Sequence, residues 1–227
     1  MASQNQALAY KRRDQVEEVV WVEPRLTAFE TIVKRCLDLI IASVAVIVLS
    51  PLMLFVALAI KLESRGPAVF KQARVGKDGR EFTCYKFRSM YDGADGMRDG
   101  ILHLNEVSGP VFKIRDDPRV TPVGRIIRRT SIDELLQFFN VLKGDMSVVG
   151  PRPPLPCEVA EYTEYHWQRL SVIPGITCLW QISGRSNIGF DRWVELDLEY
   201  IRNQSLWHDM AIIVKTVPAV VRGTGAH

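Results

Sequence analysis

The sequence predicts an α+β chain, mostly helical, in which a re-entrant membrane helix precedes a globular domain with a small β-hairpin and amphipathic interfacial helices. Three observations predict it. One apolar run of membrane-spanning length carries a Ser-Pro pair near its centre and basic residues at both ends. A stretch downstream alternates like two strands around a Gly-Lys-Asp-Gly turn. The remainder places apolar residues at helical spacing between prolines and glycines. The expected division is a flexible cytoplasmic arm at 1–30, the membrane helix at 31–63 and the cytoplasmic domain at 64–227.

Residues 1–30 are polar and lack the apolar centre and small-residue cleavage site of a signal peptide. From Leu39 to Ile60 there are 22 positions without a charge, where about 20 suffice to span the hydrocarbon as a straight helix. Pro51 lacks an N–H and its ring collides with the carbonyl of Ile47, which bends or breaks a helix there. The Ser50 hydroxyl is placed to satisfy the freed carbonyl one turn back. Lys34 and Arg35 precede the run and Lys61 and Arg65 follow it, so the positive-inside rule assigns both ends to the cytoplasm. A helix broken at Ser50-Pro51 that returns to the same face satisfies this; a kinked spanning helix is the rival. Asp38 sits at the edge of the run, where Arg35 or Lys34 is expected to neutralise it.

Residues 67–90 then read as a hairpin whose turn is Gly76-Lys77-Asp78-Gly79. Residues 92–110 read as a loop with a short helix, followed by a turn-rich link at 116–124. Ile132, Leu135, Leu136, Phe139 and Leu142 fall at helical spacing and Gly144 ends that helix. Pro151, Pro153, Pro154 and Pro156 force extended or coil backbone. A helix is expected over Pro156 to Leu170, then a loop and strand, then helices from Phe190 to Arg202 and from Trp207 to Val221, the last interrupted by Pro218. The apolar face of the last helix, with Trp207 and Trp193 nearby, is expected on the bilayer surface or in the core.

Composition narrows the function. A formal net charge of +3 argues against a nucleic-acid binder. The charge is uneven, however: eight Lys/Arg against three acids from Lys61 to Arg88, and six against two from Lys113 to Arg129. Such clusters suit phosphate groups, in lipid heads or in a substrate, although a solvated basic face explains either one alone as well. Four scattered cysteines form neither a disulfide framework nor a zinc site and fit a reducing compartment.

The chemistry concentrates in RRTSIDELLQ, residues 128–137. Ser131-x-x-Glu134 and Thr130-x-x-Asp133 both have capping-box spacing, and carboxylates in a first turn ordinarily just answer the helix dipole. The neighbours argue for more. An adjacent Asp-Glu pair held ionised by the dipole and by Arg128 and Arg129 is a nucleophile towards phosphorus or a hard oxygen ligand for Mg²⁺. Arg152, fixed between Pro151 and Pro153, puts a guanidinium on a stiff backbone, suited to a bidentate phosphate contact. His103, His166 and His208 are isolated and read as structural or surface groups.

Together, SPLM in the apolar run, YKFRSM, RRTSIDELLQFFNVLKGDMSVVGPRP and QISGRSN resemble the bacterial monotopic phosphoglycosyl transferases, the polyprenyl-phosphate sugar-1-phosphate transferases of exopolysaccharide priming. The resemblance runs from about Phe29 to Ala226. It implies transfer of a sugar-1-phosphate from a UDP-sugar, with galactose or glucose expected, to undecaprenyl phosphate at the bacterial inner membrane, with release of UMP. It further implies that Asp133 is the nucleophile of a covalent phosphosugar intermediate and that Glu134 partners it on Mg²⁺. Arg128, Arg152 and Arg185 match the family's active-site arginines, Lys86 and Arg88 match it less specifically, and Ser50-Pro51 matches its helix break. Membrane lipid is then a partner, and a homodimer is compatible with an interfacial enzyme.

One departure is Leu136, where the family commonly has proline; leucine favours helix, so the helix is expected to persist there. The larger members carry four additional N-terminal transmembrane helices, and the chain resembles the free-standing catalytic form. Two alternatives use the same residues differently: a membrane-bound Mg²⁺-dependent UDP-sugar hydrolase, and a non-catalytic tethered assembly factor whose basic face binds anionic lipid.

Overall fold

Thr27 starts the longest element. Its hydroxyl accepts from Glu30 N (3.2 Å) and the Glu30 carboxylate accepts from Thr27 N (2.9 Å), a capping box that opens helix α1, Ala28–Glu63. The computed structural model describes residues 21–222 apart from 98, 107–109, 113, 115 and 184–188; most of the expected N-terminal arm, and Arg185, lie outside the described residues. Val22 is already docked, buried and donating its N–H to Gln168 Oε1 (2.8 Å).

α1 stays helical through Pro51. The Ile47 carbonyl, which proline leaves without its usual partner, accepts from Ser50 Oγ at 2.8 Å, as the sequence predicts. Exposed Ile40, Val44, Ile47, Val48, Leu54, Phe55 and Leu58 leave a wide apolar surface. Both limbs nevertheless pack on the rest of the chain. Asp38 and Ala42 are buried before the proline, and Met53, Val56 and Ile60 after it.

The charges ahead of the run are spent differently from the expectation. Asp38 is neutralised by neither Arg35 nor Lys34; its carboxylate accepts from Ser147 Oγ (2.7 Å) and Val148 N (2.9 Å). Lys34 pairs with Asp209 (2.5 Å), and Arg35 donates to the carbonyls of Val141 (2.7 Å) and Leu142 (3.1 Å).

Strands β1, Val69–Val75, and β2, Glu81–Phe87, form the expected antiparallel hairpin, with Gln72 opposite Cys84. Asp78 (φ 57°) and Gly79 (φ 77°) turn left-handed at its tip, which Asp and Gly tolerate best. Short 3-10 turns at Ala94–Met97 and Asp99–Leu104 fill the next loop. The last three residues of the turn-rich link open helix α2, Pro122–Arg129, started by Thr121 Oγ1 accepting from Gly124 N (2.9 Å).

Helix α3, Gln137–Lys143, ends at Gly144 (φ 95°). Strand β3, Ser147–Val149, then pairs in parallel with β4, Gly175–Thr177, a second small sheet beyond the hairpin the sequence predicts. The helix expected over Pro156 to Leu170 is three short pieces: α4, Pro156–Val159, α5, Glu164–Trp167, and a 3-10 turn at Gln168–Leu170. The break falls at Thr163, whose extended backbone (φ −78°, ψ 169°) and hydroxyl cap a fresh start.

After the short helix α6, Leu179–Ile182, come α7, Phe190–Arg202, and α8, Leu206–Arg222, which continues through Pro218. Trp207, Met210, Val214 and Val217 make an exposed apolar ridge on α8, whereas Trp193 is buried and takes no part in it. One core gathers Val141, Val149, Val172, Val194, Leu198 and Ile201 around α7; a second joins Met53, Val56 and Ile60 of α1 to Phe87, Ile127 and Leu136.

Candidate active site

Ile127 of α2 and Leu136, just ahead of α3, enter the same apolar cluster, so the chain must reverse between them. Ser131 makes the reversal in a left-handed conformation (φ 56°), and a 3-10 turn, Ile132–Glu134, follows. Neither expected capping box forms. Ser131 makes no side-chain cap, and Thr130 Oγ1 donates back to Ile126 O (2.8 Å), closing α2. The backbone at Leu136 remains helical (φ −67°, ψ −14°), but bonds such as Phe139 N to Leu136 O (3.1 Å) are of the tighter 3-10 kind. The result is a short carboxylate-bearing turn wedged between two helices.

Asp133 and Glu134 are half-buried on that turn. Lys86 reaches across from β2 to Glu134 Oε1 at 2.7 Å. Burial, then the adjacent Glu134 charge, pushes the Asp133 carboxyl up to about 7, against the opposing pull of Lys86 and Arg128. For Glu134, burial also favours the neutral form, but the charge and hydrogen bond of Lys86, helped by Arg152 and Arg74, hold it below the ordinary carboxylate value. The sequence expectation that both acids are held ionised therefore applies more strongly to Glu134 than to Asp133. Arg129 is exposed, and Lys86 fills the part foreseen for it.

The segment around Arg152 is fixed by the parallel sheet. Gly150 N donates to Thr177 O (2.9 Å) and Gly175 N to Pro151 O (2.9 Å). The strands approach so closely that a Cβ on Gly175 would come within 2.0 Å of Gly150 N, so neither glycine has room for a side chain. Pro151 and Pro153 are buried, and Pro153 O accepts from Arg74 Nη1 at 2.9 Å. Arg152 itself is partly exposed, with Nη1 3.5 Å from Glu158 Oε2 and its guanidinium 5.1 Å from the centre of the Trp193 ring.

Of the residues singled out from sequence, Asp133, Glu134, Lys86, Arg128 and Arg152 thus share one electrostatic neighbourhood, framed by Pro151 and Pro153. Arg88 does not join them. It is buried and donates to Arg65 O (2.6 Å), Ser64 O (2.9 Å) and Ser64 Oγ (2.8 Å), capping the end of α1. Ser50 and Pro51 lie in the apolar helix α1.

Sequence reasoning missed Arg74, whose pKa is lowered to about 10 by burial and then by the neighbouring Arg152. An arginine on the inward face of a period-2 strand is the signal that would have found it. Asn140 was missed as well. Fully buried, it accepts from Tyr85 N (3.0 Å) and donates to Thr83 O (2.6 Å), locking α3 to the strand that carries Lys86.

Among the described residues no three His, Cys, Asp or Glu side chains group as a metal cage. The adjacent carboxylates do fit Mg²⁺, which binds through one or two carboxylates together with waters and substrate phosphates. Burial raises the Asp133 pKa most and the like charge of Glu134 next, and a cation there would relieve the second.

Comparison with known proteins identifies the family. Residues 29–223 match the family described as bacterial sugar transferase. The galactosyl transferase CpsE of Streptococcus agalactiae is 49% identical over 196 residues, covering 86% of this chain and 43% of that protein. The undecaprenyl-phosphate galactose phosphotransferase of Salmonella typhimurium is 42% identical over 198 residues, covering 86% and 41%. The exopolysaccharide production protein ExoY of Rhizobium meliloti is 38% identical over 198 residues, covering 86% and 88%. The chain thus spans less than half the length of the first two relatives and most of the third. A carboxylate pair beside a lysine, faced by a proline-framed arginine, and a family match over nearly the whole described length lead to one conclusion: the chain belongs to the bacterial sugar transferase family.

Proposed function

We propose that the chain is a phosphoglycosyl transferase that moves a hexose-1-phosphate, galactose or glucose, from a UDP-sugar to undecaprenyl phosphate on the cytoplasmic face of the bacterial inner membrane. The observation that carries this reading is the packing of the carboxylate turn. Leu136, two residues after Glu134, lies in one apolar cluster with Met53, Val56 and Ile60 of α1. The pair therefore stands beside the apolar helix, where the phosphate of a lipid whose tail stays in the bilayer would come. The Salmonella typhimurium relative is named for the same acceptor and for galactose, and the Streptococcus agalactiae relative for galactose; a Komagataeibacter xylinus relative is named for glucose.

In the first half-reaction an ionised Asp133 oxygen attacks the sugar-bearing phosphorus of the donor. A P–O bond to Asp133 forms, the bond to the bridging oxygen breaks, and UMP leaves with that electron pair. In the second, a phosphate oxygen of the polyprenyl carrier attacks the same phosphorus and expels the Asp133 carboxylate, giving the polyprenyl diphosphate sugar. Glu134, held as an anion by Lys86, would hold Mg²⁺ with Asp133, and the ion would supply charge neutralisation at the donor phosphates. Arg128 and Arg152 offer further positive charge to the diphosphate, and Arg185 belongs to the same proposal through its motif.

The re-entrant reading of α1 is supported by its contacts. Lys34 and Asp38 near one end and Glu63 at the other all bond to the same domain, Glu63 Oε1 accepting from Val123 N at 2.8 Å. A straight 36-residue helix is about 54 Å long, against about 30 Å of hydrocarbon. A crossing helix would separate these ends by the whole bilayer. The ridge on α8 would complete the interfacial seat.

The test is intact mass of the purified protein after mixing with Mg²⁺ and a panel of UDP-sugars, without acceptor. An adduct of one sugar-phosphate, absent in Asp133→Asn and discharged by undecaprenyl phosphate, is the expected result and names the sugar. UMP release that ignores the lipid would turn the reading into a hydrolase. Full biological function in Asp133→Asn would make the chain an assembly factor.

A further inference from the structure

Arg152 has company that its proposed task does not explain. Three guanidiniums meet around the Pro-Arg-Pro segment. Arg74 holds Pro153 O (2.9 Å); Arg169 donates to Arg152 O (3.3 Å) and Tyr162 Oη (2.7 Å) and pairs with Asp197 (2.5 Å); and Arg152 lies between them in sequence contact and charge. Two buried carboxylates, Glu158 and Asp197, pair with this group, so it carries a surplus positive charge. The member of the group that an outside anion can reach is Arg152, whose side chain is 27% exposed, whereas Arg74 is buried and the Arg169 side chain is 1% exposed.

The grip on Arg152 by Glu158 is loose. The contact is 3.5 Å long, and the same Oε2 already accepts from Leu155 N at 2.8 Å. Beside that contact the guanidinium lies over the Trp193 ring, 5.1 Å from its centre. Trp193 is itself immobilised: it is buried on α7, stands 4.6 Å from the Trp180 ring at 41°, and has Arg169 5.0 Å from its own ring centre. A rigid indole face attracts a cation without neutralising it, so this contact leaves the charge of Arg152 available to an incoming anion. A carboxylate in the same place would cancel it.

We propose that Trp193 is the positioning residue of Arg152, a π-face rest that aims its guanidinium at the diphosphate of the donor. The proposal rests on the reading above that Arg152 meets the UDP-sugar, and it adds a residue and a mechanism to that reading. Trp193 acts on donor recognition through Arg152 and has no part in recognising the lipid acceptor.

The experiment replaces Trp193 alone, in the full chain, with tryptophans carrying one, two and three ring fluorines. These nearly keep the shape of the indole while draining the negative face. UMP release is followed in nanodiscs with UDP-galactose, or UDP-glucose if that is the sugar turned over, at fixed undecaprenyl phosphate. The donor KM should climb with each fluorine, to roughly five- to tenfold for the trifluoro side chain. The acceptor KM should not move, and the series should be flat in an Arg152→Met background.

A donor KM indifferent to fluorine, in a protein where Arg152→Met does raise it, would reduce Trp193 to packing and overturn the proposal. A slope that survives Arg152→Met would assign the effect to Arg169 and overturn it too. If Arg152→Met itself leaves the donor KM unchanged, the donor role of Arg152 fails first, and the positioning role with it.

Discussion

Lys86 Nζ stands 2.7 Å from Glu134 Oε1, and the residue next to Glu134 is the one whose carboxyl is pushed up to about 7. A lysine on the hairpin thus separates two adjacent acids into different protonation regimes. Glu134 remains an anion well below neutrality, while burial and the Glu134 charge keep Asp133 close to its titration point.

Removing that lysine should shift the pH dependence in one direction. Lys86 lowers the pKa of both acids, so Lys86→Met raises both. The nucleophile must be ionised, so the acid limb of the rate of adduct formation should move to higher pH. We expect a deficit on the order of tenfold at pH 6.5 that narrows by pH 8.5. A uniform deficit across the range, in a stopped-flow or quench measurement, would show that Lys86 does not act through protonation.

Arg88→Gln should damage stability and spare the chemistry. The side chain donates to two carbonyls and a hydroxyl at the end of α1, and hydrogen bonds from a charged group are worth about 1.5–3 kcal/mol. Thermal unfolding in detergent should fall by an amount in that range, with new proteolysis near residues 64–68. The UDP-sugar KM of the molecules that remain folded should be unchanged.

Asn140→Leu should be among the costlier single changes. It leaves Tyr85 N and Thr83 O, both joined to Asn140 inside the protein, without their side-chain partner. The expected loss is about 2–4 kcal/mol by chemical denaturation, from two stranded backbone groups. Lys86 is next to Tyr85, so the loss of activity should exceed the loss of folded protein.

The membrane helix can be probed from outside. Single cysteines at positions 31 and 65, in a background without the native four, should both react with a membrane-impermeant maleimide in inside-out vesicles and neither in right-side-out ones. Replacing Ser50 and Pro51 together by alanine removes both the missing N–H and the hydroxyl that compensates for it. The two labels should then fall partly on opposite faces.

What was legible in the sequence follows from how local each signal is. The hairpin declared itself through period-2 alternation and a turn whose left-handed residues are Asp and Gly. Phe190 to Arg202 declared itself by uninterrupted helical spacing. The turn bearing Asp133 did not. Its shape is imposed by Ile127 and Leu136 seeking one apolar cluster from two helices, a tertiary demand that overrides two good capping sequences. Arg88 and Asp38 were misplaced for the same reason, since their partners lie 24 and 109 residues away. The acid pair and Arg152 stood out only because residue types with few structural uses occurred together in familiar motifs.

The 109-residue separation of Asp38 and Ser147 has a consequence for how the protein is made. The helix that carries Asp38 leaves the ribosome long before its hydrogen-bonding partner exists. Until the second sheet is synthesised, the Asp38 carboxyl lacks the Ser147 and Val148 donors that hold it in the folded protein. On the proposed re-entrant reading, the helix would enter the lipid in a provisional form, and its final seating would be completed only as the domain closes over it.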